Sequence, residues 1–233
     1  MRTNFYKLAF CFFLLLTISI NFGCDGGGGG DDSDPNKVYR LYPVGYFEPG
    51  YRESFSGTGN DNYGNEYQGS FYFKTMNKTV IADQVVTPIQ LSFNLKNTVT
   101  GAFGTAIVTE YYDDNKNPIR MVRDDGVIYT PLSIANIPKT GIVGDFGALT
   151  SWSSTDGNSM SGTWVLEKGS GRYAELVTMI TVKDYLNYIM FYQELIEEID
   201  ENGYTNSITM TIYYPYLNGL TDLTINLSAD RNS

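Results

Sequence analysis

Histidine is absent from all 233 residues. That single zero removes Ser-His-Asp and Cys-His nucleophilic catalysis, His-ligated zinc and non-haem iron triads, and the ordinary neutral-pH switch. What remains for chemistry is carboxylates, tyrosines and short polar motifs. Glu110 and Glu194 each interrupt an apolar, strand-like stretch. As a carboxylate pair they would suit acid–base work on a glycosidic bond, provided they flank one cleft roughly 5 to 9.5 Å apart. Solvent-facing or barrel-rim strand positions account for them more simply. Asp113, Asn115 and Asn117, with Asp124 in the twelfth place, imitate a calcium loop. Pro118 stands where the sharp turn needs glycine, however, and a tight Asp/Asn turn reads the same way. The tyrosines, among them Tyr39, Tyr42, Tyr46, Tyr51, Tyr67, Tyr112 and Tyr214, could line a ligand groove. Half-exposed strand positions suit them equally.

Lys139-Thr140-Gly141 matches one motif of penicillin-binding proteins, but no Ser-x-x-Lys occurs to supply a nucleophile. Gly157 to Gly162 misses the Gly-x-Ser-x-Gly elbow by one position and reads as a hairpin loop. No residue is therefore assigned as catalytic, cofactor-binding or metal-ligating, and no cofactor is expected. The expectation is a protein that is not an enzyme.

The elements that must position these residues are strands. Ile89, Leu91, Phe93 and Leu95 alternate with Gln90, Ser92, Asn94 and Lys96, and the same period of two runs through Ile208, Met210 and Ile212 and through Leu223, Ile225 and Leu227. Gly/Asn/Asp clusters at 57–62, 113–118, 156–158 and 200–203 separate the runs as hairpin turns. An internal repeat organises the whole. Gly50 to Ser56 pairs with Gly147 to Ser153, Gly69 to Phe73 with Gly162 to Leu166, and Ile89, Phe93, Leu95, Glu110 and Asp113 with Leu176, Ile180, Val182, Glu197 and Asp200. The extra residues of the first copy fall in 57–66 and 75–87, where insertions cost least. The predicted fold is all-β: an antiparallel sandwich or barrel of about ten strands. It consists of two meanders of four or five strands, about 50–131 and 147–228, with Val38 to Tyr42 as a leading strand. One stretch argues back. Tyr185, Tyr188, Ile189, Tyr192, Ile196 and Ile199 lie at helical spacing, so a short helix near 185–199 is the alternative to a strand from about Ile189.

The amino terminus carries a different message. Arg2 and Lys7 precede a thirteen-residue apolar run, Leu8 to Ile20, too short to span a bilayer and of the size of a secretory leader. The run leads into Asn21-Phe22-Gly23-Cys24, which resembles the lipobox of bacterial lipoproteins. Asn21 and Phe22 depart from the usual Leu and small residue. The resemblance implies thioether attachment of diacylglycerol to Cys24, cleavage before it, and acylation of the new amino terminus with palmitate-type chains. Ordinary signal-peptidase cleavage is the alternative, though no clean small-x-small pair precedes Cys24. Cys11 would leave with the leader, so no disulfide could form within the mature chain. Two or more acyl chains hold a protein on a membrane durably, at about 0.8 kcal/mol per buried CH₂.

The expected organisation is a signal peptide over 1–23, a lipidated Gly/Asp-rich tether over 24–36 and one all-β domain over 37–233. Without Arg2 and Lys7 the chain carries 14 basic against 26 acidic residues, a formal charge of −12, which disfavours nucleic acid as a partner. These readings converge on an exported envelope lipoprotein, held by its acyl chains on the inner or outer membrane, that carries a non-enzymatic β-structured binding module for a protein, glycan or small ligand. A purely structural envelope protein, and then a carboxylate-dependent glycan hydrolase, are the alternatives.

Overall fold

Alternation of apolar and polar side chains drives strand pairing, and here twelve of the sixteen strands find a partner on both edges. The computed structural model describes residues 37–135, 137–215 and 223–232. The leader, Cys24 and the Gly/Asp stretch lie outside the described residues. The strands are β1 (Val38–Arg40), β2 (Arg52–Asp61), β3 (Glu66–Thr75), β4 (Thr79–Ile81), β5 (Gln84–Asn97), β6 (Phe103–Tyr112), β7 (Pro118–Arg123) and β8 (Ile128–Ser133). They continue as β9 (Thr140–Ile142), β10 (Phe146–Ala148), β11 (Ser151–Ser154), β12 (Ser159–Lys168), β13 (Ala174–Lys183), β14 (Ile189–Ile199), β15 (Thr205–Tyr214) and β16 (Leu223–Arg231).

Twelve of them close a ring in the order β2, β3, β5, β6, β7, β8, β11, β12, β13, β14, β15, β16, with β16 returning to β2 through pairs such as Arg231 with Phe55. Neighbours are antiparallel throughout. Of sandwich and barrel, the chain adopts an up-and-down barrel, which leaves the ring without a sheet edge. The first repeated segment supplies six ring strands, β2 to β8 without β4, and the second supplies six, β11 to β16. Each thus holds more than the four or five expected. β10 and β11 both pair with β12 and act as one wall strand interrupted at Leu149 and Thr150.

Ile89, Leu91, Phe93 and Leu95 of β5 face inward and are buried, while Gln90, Ser92, Asn94 and Lys96 face out. Apolar inside and polar outside is the reverse of a barrel that meets lipid with its strands. Twelve strands enclose more space than the eight whose interior side chains just fill, so large residues occupy the centre. Phe55, Phe71, Phe73, Phe191, Tyr129 and Tyr214 are fully buried, and one continuous core draws on every ring strand. Burial of each such side chain is worth roughly 1.5–3 kcal/mol.

One local expectation is corrected. Residues 57–61 are the end of β2 and not a turn, which is confined to 62–65. Gly57 and Gly59 face inward where β2 passes tightly beside β16, and a Cβ at Gly57 would lie 1.9 Å from the Ser228 carbonyl oxygen. The expected strand from about Ile189 is present, and the helix held as its alternative at 185–199 does not form. Phe191, Gln193, Leu195, Glu197 and Ile199 alternate inward along β14, and β13 and β15 hydrogen-bond both its edges. Tertiary pairing overrides the local helical spacing. Residues 184–188 form the hairpin turn, in which Asp184 Oδ1 accepts from the backbone N–H groups of Leu186 and Tyr188 at 2.9 Å.

One end of the barrel is plugged. β1 lies outside the ring and pairs with β9, and residues 41–51 turn across the opening. The Gly50 N–H donates to the Thr75 carbonyl and the Thr75 N–H to that of Tyr51, each at 2.9 Å. Tyr42, Tyr46 and Phe47 pack on one another, with ring centroids 4.9 to 5.8 Å apart. The excursion expected as an insertion at 75–87 is the β4–β5 hairpin, which projects from this same end.

Candidate functional site

Beneath the plug the inward face carries carboxyl groups where the alternation calls for apolar residues. Glu53 enters from β2, Glu110 from β6 and Glu197 from β14, and all three are buried. β6 and β14 stand six places apart in the ring of twelve, so Glu110 and Glu197 come from opposite walls. These two are equivalent in the sequence repeat, and the partner of Glu53 is the buried Thr150. The acids interact electrostatically with the tyrosines of the plug: Glu110 and Glu197 both act on Tyr42 and Tyr46.

Burial dominates their acidity. Loss of hydration pushes Glu53 up to about 9, against the opposing pull of the Tyr51 hydroxyl and of Arg231. It raises Glu110 to about 8, against the Tyr112 hydroxyl, and holds Glu197 well above the usual carboxylate range, with Glu53 adding to the effect. Burial thus favours the protonated carboxylic acid over the carboxylate at all three positions. The Tyr112 hydroxyl donates to Glu110 Oε2 and that of Tyr51 to Glu53 Oε1. Among the described residues, Glu53 Oε2, Glu110 Oε1 and both Glu197 oxygens meet no hydrogen-bond partner. The Thr75 hydroxyl ties the plug down, donating to the Tyr46 carbonyl at 2.5 Å.

Glu110 also lines a cavity of about 40 Å³, with Tyr42, Tyr112, Lys116, Thr150 and Trp152 among its walls. It sits beside the interruption between β10 and β11. Thr150 pins Ala135 there: its Oγ1 accepts from the Ala135 N–H at 3.1 Å and donates to the Ala135 carbonyl at 3.0 Å. One water needs about 10–15 Å³ of such space, so the cavity suits a few waters and not a sugar ring.

The residues singled out from sequence separate widely. Glu110 points into the barrel and Glu194 lies exposed on the outer face of β14, so the pair flanks no cleft. Asp113 closes its own turn, Oδ1 accepting from the Asn117 N–H at 2.8 Å and Oδ2 from the Asn117 side-chain amide at 3.0 Å. Asp124 lies beyond the far end of β7. Gly141 belongs to β9, and Gly157 to Gly162 form a turn and the start of β12. Tyr39, Tyr46, Tyr67, Tyr112 and Tyr214 are buried in the interior; they do not line an open groove. Sequence reasoning overlooked Glu53 and Glu197 as buried groups. The available signal was Glu197's place as repeat partner of Glu110 and its inward parity with Leu195 and Ile199.

No family model matches the chain, and no curated protein matches it. A solved structure described as a "putative lipoprotein" from Parabacteroides distasonis aligns over 78% of this chain and 96% of its own, at 11% identity and a TM-score of 0.33. A likeness that distant carries no argument about fold or function.

Proposed function

We propose that this chain is an acyl-anchored lipoprotein of the bacterial envelope, attached through Cys24, and that its barrel is a non-enzymatic binding module held with the plugged end toward the membrane. One observation carries the orientation: the described chain begins at the plugged end. Lys37 Nζ lies 3.4 Å from a Glu201 carboxylate oxygen, and the Tyr39 hydroxyl donates to the Arg172 carbonyl at 3.3 Å. The turns holding Arg172 and Glu201 belong to that end of the barrel. Cys24 stands thirteen residues before Lys37, which bounds its reach at about 45 Å.

The turns at 62–65, 98–102, 124–127, 155–158 and 184–188 then face away from the membrane, together with the exposed Tyr185 and Tyr188 (74% and 69%). Replacement of Cys24 by Ala should leave an unprocessed precursor and abolish acylation, read by mass spectrometry of the membrane fraction. Normal processing of that variant, with release of the protein by a salt wash, overturns the anchor. A purely structural role is the second reading, supported by the side chains that fill the barrel interior. It prevails if the module retains no ligand.

A further inference from the structure

The tight passage of β2 beside β16 has a counterpart on the outside of the wall. Gly57 and Gly69 face inward on adjacent strands and form a cross-strand pair. The outer surface above them is a hollow of about 490 Å³, lined by Ser56, Gln68, Ser70, Asn94, Lys96 and Phe103. The pairings Ser56–Ser70–Asn94 and Gln68–Lys96–Phe103 lay these side chains in two parallel rows across β2, β3, β5 and β6. Asn94 is held in place: its Nδ2 donates to Ser70 Oγ at 3.1 Å and its Oδ1 accepts from the Thr105 hydroxyl at 2.7 Å. Phe103 is 53% exposed at the margin, and the hollow lies toward the end of the barrel opposite the plug.

The lining narrows the ligand class. Lys96 is its one charged group, too little for a polyanion, and no carboxylate is present to hold a cation. Five of the six side chains are polar, which disfavours a purely apolar guest. Uncharged donors and acceptors beside an exposed aromatic plate suit a pyranose, whose C–H face stacks on the ring while its hydroxyls meet the amides and the ammonium. The hollow is shallow and open to solvent, which suits one or two units of a polymer lying along the wall and not an enclosed small molecule. We propose that this hollow is a binding site for neutral hexopyranose units of a polysaccharide. The proposal rests on the reading of the barrel as a binding module and is independent of the acyl anchor.

The test is native affinity electrophoresis of the acylated full chain in detergent, through gels containing starch, dextran, galactomannan or glucomannan. At least one polymer should slow migration. Phe103→Ala and Lys96→Ala should each weaken that retardation at least tenfold, while Tyr185→Ala leaves it unchanged. Both groups substituted in the hollow are outside the core, and a thermal melt matching the parent's confirms folding. Absence of retardation by all four polymers overturns the ligand class. Undiminished retardation of Phe103→Ala and Lys96→Ala overturns the site while leaving a binding module in place. Membrane release, scored on Cys24→Ala, reports on the anchor alone.

Discussion

Glu53, Glu110 and Glu197 make the interior of this barrel sensitive to alkali. A carboxyl whose pKa is raised in the folded state binds a proton there that the unfolded chain has already lost. Stability therefore falls as pH rises, from the ordinary value of 4.5 to about 8 for Glu110 and about 9 for Glu53. Below that window both states are protonated and the penalty vanishes. Within it each group contributes a slope of up to about 1.4 kcal/mol per pH unit. Urea titrations at pH 5, 7 and 9 should show declining midpoints in the parent. Glu110→Gln should flatten the decline and stabilise the protein at pH 9, because an amide keeps the shape without an ionisation to suppress. A midpoint that rises between pH 5 and 9 would contradict the assignment. Glu110 was legible in the sequence as an oddity within an apolar strand. The plug that buries it was not, because Tyr42 and Tyr46 lie more than sixty residues away along the chain.

At the scale of elements, the seam between β2 and β16 and the β4–β5 hairpin make opposite demands. A Cβ at Gly57 would meet Ser228 O at 1.9 Å and Ala229 Cα at 2.4 Å, so backbone must move. Gly57→Ala should cost about 2–4 kcal/mol and speed amide exchange along β16. At Gly50 a Cβ meets nothing within 4 Å, although φ is +95°. Gly50→Ala should cost only the local strain of about 1 kcal/mol. A larger thermal shift for Gly50→Ala than for Gly57→Ala would reverse this picture. The hairpin belongs to the first segment alone, and its tip exposes Val80 and Val85. Its Lys78–Asp114 ion pair, 2.7 Å long, lies in solvent, where such pairs contribute at most about 1 kcal/mol. Replacing residues 77–85 with a two-residue turn should lower Tm by less than about 4 °C, since β13 fills the equivalent wall position without such an excursion. The alternation in β5 and β15 was readable from single strands. The glycines of β2 were not, because Gly-Thr-Gly-Asn is also turn sequence and only the crowding by β16 makes it strand.

For the whole molecule, the described chain begins at the plugged end and the exposed Tyr185 and Tyr188 lie at the other, so the proposed anchored form should report a polarity when labelled. Cys11 is lost with the leader and Cys24 is acylated in the proposed mature form, which makes any introduced cysteine the single thiol. A fluorophore on Arg172→Cys, beside the entry point, should be quenched by spin-labelled lipid at least twofold more than one on Tyr185→Cys. Equal quenching would remove the preferred orientation.

The sequence by itself determined the strand periodicity, the segment equivalences that place Glu110 and Glu197 at matching positions, and the exclusion of histidine chemistry. These follow from residue type and short-range spacing, which act before any long-range contact forms. Only the tertiary structure decided between barrel and sandwich, between strand and helix at 189–199, and between paired and opposed directions for Glu110 and Glu194. Each of those outcomes depends on which strand edge meets which, and β2 and β16, whose pairing closes the ring, are separated by nearly the whole folded chain.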